Sequence, residues 1–223
     1  MYMPSMTSSA ETLIKVHGVY HLTRLQADKG VKELADNFAK AQGRLSDKLA
    51  AFDSASIAAM RALAVRDGED VAMDSAVRRF YTAVLGKCNN NRKSQIFQRY
   101  FPDGMAMVVN APLENEIMKV ENIIIKLAEE KEAELASHTD SLIAAVNNLK
   151  TAIDAHSVAL TAEANAFAMV QAEKINWLDT YKLDHRALSQ LYYKDGKKAD
   201  TYFKAAAKGK KGEAPPQPVA PKV

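Results

Sequence analysis

Residues 113–127 read Leu-Glu-Asn-Glu-Ile-Met-Lys-Val-Glu-Asn-Ile-Ile-Ile-Lys-Leu. Leu113, Ile117, Val120, Ile124 and Leu127 alternate spacings of four and three, which is the seam of a coiled-coil-like helix. Asn110 and Pro112 suit the first turn of that helix, and Glu114 and Glu116 complement the positive end of its dipole. Lys131 interrupts the seam, which resumes as Leu135, Leu142, Val146, Leu149 and Ile153. The phase shift near 128–134 reads as a stutter, a local unwinding of the supercoil. A turn is expected near His156–Thr161, leading into a further helix that carries Leu160, Phe167, Val170, Leu178, Tyr181, Leu188 and Leu191.

The stretch before residue 113 follows the same logic. Val31, Leu34, Phe38, Ala41, Leu45, Leu49 and Phe52 form one apolar stripe, which predicts a long helix over about 9–51. Asp53 and Ser54 are cap-type residues able to start a second helix, with Ile57, Met60, Leu63, Val77, Phe80 and Val84 inward. The polar run Arg66-Asp67-Gly68-Glu69-Asp70 is an equal candidate for the break. Prolines stand only at 4, 102, 112, 215, 216, 218 and 221. Two proline-free blocks, 5–101 and 113–214, therefore flank one connector, and both are rich in good helix formers.

The expectation is an all-α protein: an elongated antiparallel four-helix bundle over 9–208, admitting two tandem helical hairpins. Hairpin one covers about 9–101, the connector 102–112 and hairpin two about 113–208, after a flexible N-terminus at 1–8. A shift of 104 positions sets Leu13-Ile14-Lys15-Val16 on Ile117-Met118-Lys119-Val120, and Leu45, Leu49 and Ala51 on Leu149, Ile153 and Ala155. Duplication of a hairpin accounts for these matches; so does the likeness of any two alanine-rich amphipathic helices. The Lys/Gly stretch from Lys208 and the Pro-rich run after it predict a disordered tail over 209–223.

Composition narrows the function. The 223 residues are 48% hydrophobic and 26% charged, with a net charge of +3, a balance suited to a folded chain and too mild to name a polyanionic partner. One cysteine, Cys88, forbids an intrachain disulfide, and the opening MYMPSMTSSAETLIKVHG lacks the pattern of a secretory signal. No run is apolar enough to span a membrane, so a cytoplasmic setting is expected. His17 and His21 share a helix face without the carboxylate of a metal motif, and Glu134 and His138 are four apart rather than three. The sequence has no GxSxG, no GxxxxGK[ST] and no GxGxxG, so no catalytic residue, metal ligand or cofactor is assigned.

The basic stretch 78–102 carries Arg78, Arg79, Lys87, Arg92, Lys93 and Arg99 without an acidic residue, interleaved with Phe80, Tyr81, Phe97, Tyr100 and Phe101. Lys197 and Lys198 repeat the flavour beside Tyr192 and Tyr193. In an up-down-up-down bundle both clusters meet at one pole. Arg78, Arg79, Arg92, Lys93, Arg99, Lys197 and Lys198 are then the candidate contacts for an anion or nucleic acid. The primary expectation is a non-enzymatic structural or protein-interaction bundle, partnered by itself or another protein. A nucleic-acid-associated bundle is the alternative, and a membrane-active protein using Gly104–Asn110 a lesser one. The pattern resembles bacterial helical-bundle proteins in general style, a likeness that assigns no residue a role.

Overall fold

The computed structural model describes residues 3–130 and 132–205, and every regular element among them is helical. In chain order these are α1 (Ala10–Thr12), a π-helical turn (Leu13–Gly18), α2 (Val19–Gln26), a 3-10 turn (Lys29–Val31) and α3 (Lys32–Lys87). Then follow α4 (Gln95–Tyr100), α5 (Ala106–Val109), α6 (Leu113–Ala128), α7 (Ala133–Ala136), α8 (Thr139–Leu191) and α9 (Gly196–Asp200). The all-α class is as expected. The proposed tail at 209–223 lies outside the described residues.

The positions of the bends differ from expectation. α3 runs unbroken through both Asp53–Ser54 and Arg66–Asp70, and α8 runs through His156–Thr161. A cap-type residue ends a helix only when the chain has a reason to turn, and none of these positions does. The chain turns instead at Ala27–Val31 and at Glu129–His138, the second being where the seam changes phase. Asp28 caps the first of these turns by accepting from the Gly30 N–H at 2.8 Å. α3 stops in a Schellman arrangement: Asn90 N–H donates to Leu85 O and Asn89 N–H to Gly86 O, with Asn89 at φ +50°.

Two compact units result, neither coinciding with 9–101 or 113–208. The terminal unit comprises Met1–Phe52 with Ala166–Val223, and the central unit Asp53–Asn165. In the terminal unit α3 and α8 are antiparallel, shown by the pairs Phe38–Tyr181, Arg44–Glu173 and Phe52–Phe167. Leu13 and Leu25 from the first turns and Ala199, Tyr202 and Phe203 from the C-terminal side close its core around Trp177 and Tyr181. Pro4 is buried here and Lys174 Nζ donates to Met6 O at 2.9 Å, so this part of the expected flexible N-terminus is held. In the central unit α3 and α8 are again antiparallel, through Arg66–His156 and Phe80–His138. Its core joins Val77, Phe80 and Val84 to Phe97 and Phe101 near α4 and to Ile117, Val120 and Ile123 of α6.

The repeat seen in the sequence is present in the element order. Short helix, turn, long helix, turn and short helix occur as α2–α3–α4 and again as α6–α8–α9. A shift of 104 carries buried Val31, Phe38, Ala41 and Leu45 onto buried Leu135, Leu142, Ala145 and Leu149, and Lys87 at the end of α3 onto Leu191 at the end of α8. In the flanking segments the shift is 102, and hydrogen bonds repeat with it. Tyr100 Oη donates to Glu130 and Tyr202 Oη to Asp28; Lys126 Nζ donates to Arg99 O and Arg24 Nε to Thr201 O. Alanine-rich amphipathic helices share periodicity by chance, but not a clasp built from the same four positions.

Candidate interaction surface

Arg78, Arg79, Arg92, Lys93 and Arg99 belong to the central unit, Lys197 and Lys198 to the terminal one. Arg78 is paired with Asp74 at 3.4 Å, and Arg99 donates to Lys126 O and Glu129 at 2.9 and 3.3 Å. Lys198 sits over the Tyr192 ring at 4.0 Å. Arg79, Arg92, Lys93 and Lys197 are exposed. Phe80, Phe97, Tyr100 and Phe101 are buried core residues and present no stacking face. Asn89–Asn91 follow directly on α3 and close its last turn.

The Gly104–Asn110 segment is likewise structural: Val108 is buried on the central core and Met107 O accepts from Lys119 Nζ. Among the described residues no helix is long and apolar enough to cross a membrane, and no group of three or more His, Cys, Asp or Glu is placed to hold a metal ion.

Two polar pairs sit in the cores, and neither was read from the sequence. His21 is fully buried, with Nδ1 3.0 Å from Tyr202 O and Nε2 3.0 Å from Asp184 Oδ2. Both ring nitrogens are thus hydrogen-bonded inside the core. Phe203 stacks on that ring at 4.6 Å. The corresponding positions in the other repeat, Ile123 and Phe80, are apolar and buried. The central unit makes the opposite exchange, with Glu116 and Asp74 where the terminal unit has Ile14 and Leu178. Burial of Glu116, with its hydrogen bond to Asp74 and the charges of Asp74 and Asp70, pushes its carboxyl up to about 8. Comparison of the repeats is the signal that finds both pairs.

The surface feature with no internal role lies on the central unit. From Ala51 to Ala72 on α3 only Ala59 is buried, and from Ile153 to Met169 on α8 no residue is. Yet Met60 is 70% exposed, Val71 66% and Val158 70%, with Ile57, Val65 and Leu160 exposed beside them. Ile57, Met60, Ala64 and Val71 fall on one side of α3, since three, seven and fourteen positions are close to whole turns. Asp53, Arg61, Arg66, Asp67 and Glu69 on α3 and Asp154 and Glu163 on α8 border the stripe, with Arg66 paired to Asp67 at 2.7 Å. Two helices alone can bury only their shared seam, which here is lined by alanines, and the larger apolar groups are left outside.

Against known families, curated proteins and solved structures the chain has no match.

Proposed function

We propose that this protein is a non-enzymatic helical scaffold that docks protein through the apolar stripe of its central unit. One observation carries the reading: large aliphatic side chains stand in water over about four turns of α3 and on the facing part of α8, where buried positions almost vanish. Covering a Val, Leu, Ile or Met side chain is worth about 1.5–3 kcal/mol, so Ile57, Met60 and Val71 on one side of α3 supply the apolar centre of an interface. A contiguous apolar patch with a charged border is the usual mark of a protein-binding surface. Free, buried Cys88 supports a reducing, cytoplasmic setting.

The test is site-specific photo-crosslinking in the cells that make the protein. A photoreactive residue at Met60 or Val158 should yield covalent protein adducts, and one at exposed Asn148 should not. Absence of adducts at both stripe positions would sink the reading.

A further inference from the structure

Residues 99–101 read Arg-Tyr-Phe and residues 201–203 read Thr-Tyr-Phe, so the repeat sets the same aromatic pair at the end of α4 and just after α9. Each unit holds its pair with the same parts. A cation on the short helix donates to the carbonyl before the tyrosine, Lys126 Nζ to Arg99 O at 2.7 Å and Arg24 Nε to Thr201 O at 3.2 Å. A carboxylate in the turn that follows, Glu130 or Asp28, accepts from the tyrosine hydroxyl. The phenylalanine enters the core. Phe101 meets Phe80 and Tyr81, and Phe203 meets His21, Tyr181 and His185 at 4.6, 5.0 and 5.2 Å.

The terminal unit adds a grip on the main chain. Tyr20 Oη also donates to Thr201 O, at 3.3 Å, and His21 Nδ1 lies 3.0 Å from Tyr202 O. Arg24 Nη2 reaches Thr201 Oγ1 at 3.1 Å. Three side chains of α2 thus hold two consecutive carbonyls, where the counterpart of His21, Ile123, has no polar group to offer. Bonds to carbonyls accept any segment laid along the helix, and the seats of the two aromatic rings make the choice. The tether of this segment is slight: from Tyr193 to Asp200 only Ala199 is buried. The central pair, by contrast, runs on into Val108 and α6, which pack on the same core.

We propose that the cleft on α2 is a peptide-recognition site for a Tyr-Phe segment. In this chain its own strap, Thr201–Phe203, fills the cleft; when the strap lifts, a Tyr-Phe segment of another protein takes the same seats. The site lies in the terminal unit and the exposed stripe in the central one, so neither reading rests on the other. A strap on a short tether competes at an effective concentration on the order of millimolar, so an incoming peptide binds the filled cleft weakly and the vacated cleft well.

Fluorescence anisotropy on the full chain tests this with a labelled peptide of residues 198–205, Lys-Ala-Asp-Thr-Tyr-Phe-Lys-Ala. Tyr202→Ala with Phe203→Ala vacates the cleft and should bind the peptide about tenfold or more tightly than the wild type. Adding Arg24→Ala, at an exposed position, should cancel most of that gain. Emptying the cleft removes two core side chains, so thermal unfolding gives a second readout: the peptide should raise the midpoint of the vacated variant and leave the wild type unmoved. Where the double change does not fold, Tyr202→Phe, which loses only its hydroxyl's bonds, should bind the peptide better than the wild type. A folded vacated variant with neither binding nor thermal shift overturns the proposal, as does a Tyr202→Phe chain that binds no better than the wild type. Equal binding of a peptide with Ala-Ala in place of Tyr-Phe, or binding undiminished by Arg24→Ala, overturns it too, because the cleft would then be refilled without being read.

Discussion

His21 and Asp184 show how one exchanged pair changes the character of a core. Removing one partner of this buried hydrogen bond leaves the other polar group unsatisfied, at a cost of about 1–3 kcal/mol. Asp184→Leu should therefore lower the denaturant midpoint strongly. The combined change His21→Ile with Asp184→Phe, which copies the other repeat, should recover most of that loss. Gly18 is equally constrained for a different reason. A methyl group there would meet Gln42 Oε1 at 2.1 Å, and Gln42 is held by Ile14 O at 2.9 Å and by Trp177 Nε1 at 2.8 Å. Gly18→Ala must break one of these bonds or displace the helix. A loss of about 1–3 kcal/mol in urea unfolding is expected.

Among the elements, α6 links charge to stability. Folded Glu116 keeps its proton up to about 8, held by burial and by Asp74, with Asp70 adding and Arg78 opposing; in the unfolded chain it ionises near the ordinary 4.5. The folded state thus binds the extra proton between these values, and its stability falls as pH rises across that window. Glu116→Gln should flatten this slope and make the variant more stable than the wild type at pH 9, as read by thermal unfolding. The end of α3 depends on Asn89 in the left-handed region. Asn89→Ala should cost about 1 kcal/mol and Asn89→Gly almost nothing, since only a side chain with Cβ and no local hydrogen bond is penalised there.

For the whole molecule, the exposed aliphatics of α3 are the feature to test. Met60→Glu with Val71→Glu should remove binding of the docked protein while the helical content is unchanged, a contrast that co-purification and circular dichroism together would read. Much of this was legible beforehand. The prolines and the three-four spacing specify helices, and the shift of 104 relates buried positions such as Phe38 and Leu142. The candidate site was less legible. Arg78, Arg92 and Lys197 carry the right charge, but their gathering depended on where the turns fall, and local sequence does not decide that. Asp53 and Ser54 have the side chains of a cap, yet they lie inside α3 because the α3–α8 pairing repays continuation.

Periodicity and composition alone settle that this chain is helical, because one apolar face per helix must be buried and no other element presents it at that spacing. They only suggest that it repeats; the recurring clasp of Tyr100 on Glu130 and Tyr202 on Asp28 needed the structure. Which half of α3 meets which half of α8, which polar pairs enter the cores, and which apolar groups stay in water follow from long-range packing. A side chain at a helical position has the same local propensity whether or not a third helix arrives to cover it; only the assembled fold determines that none covers Met60, Val71 and Val158.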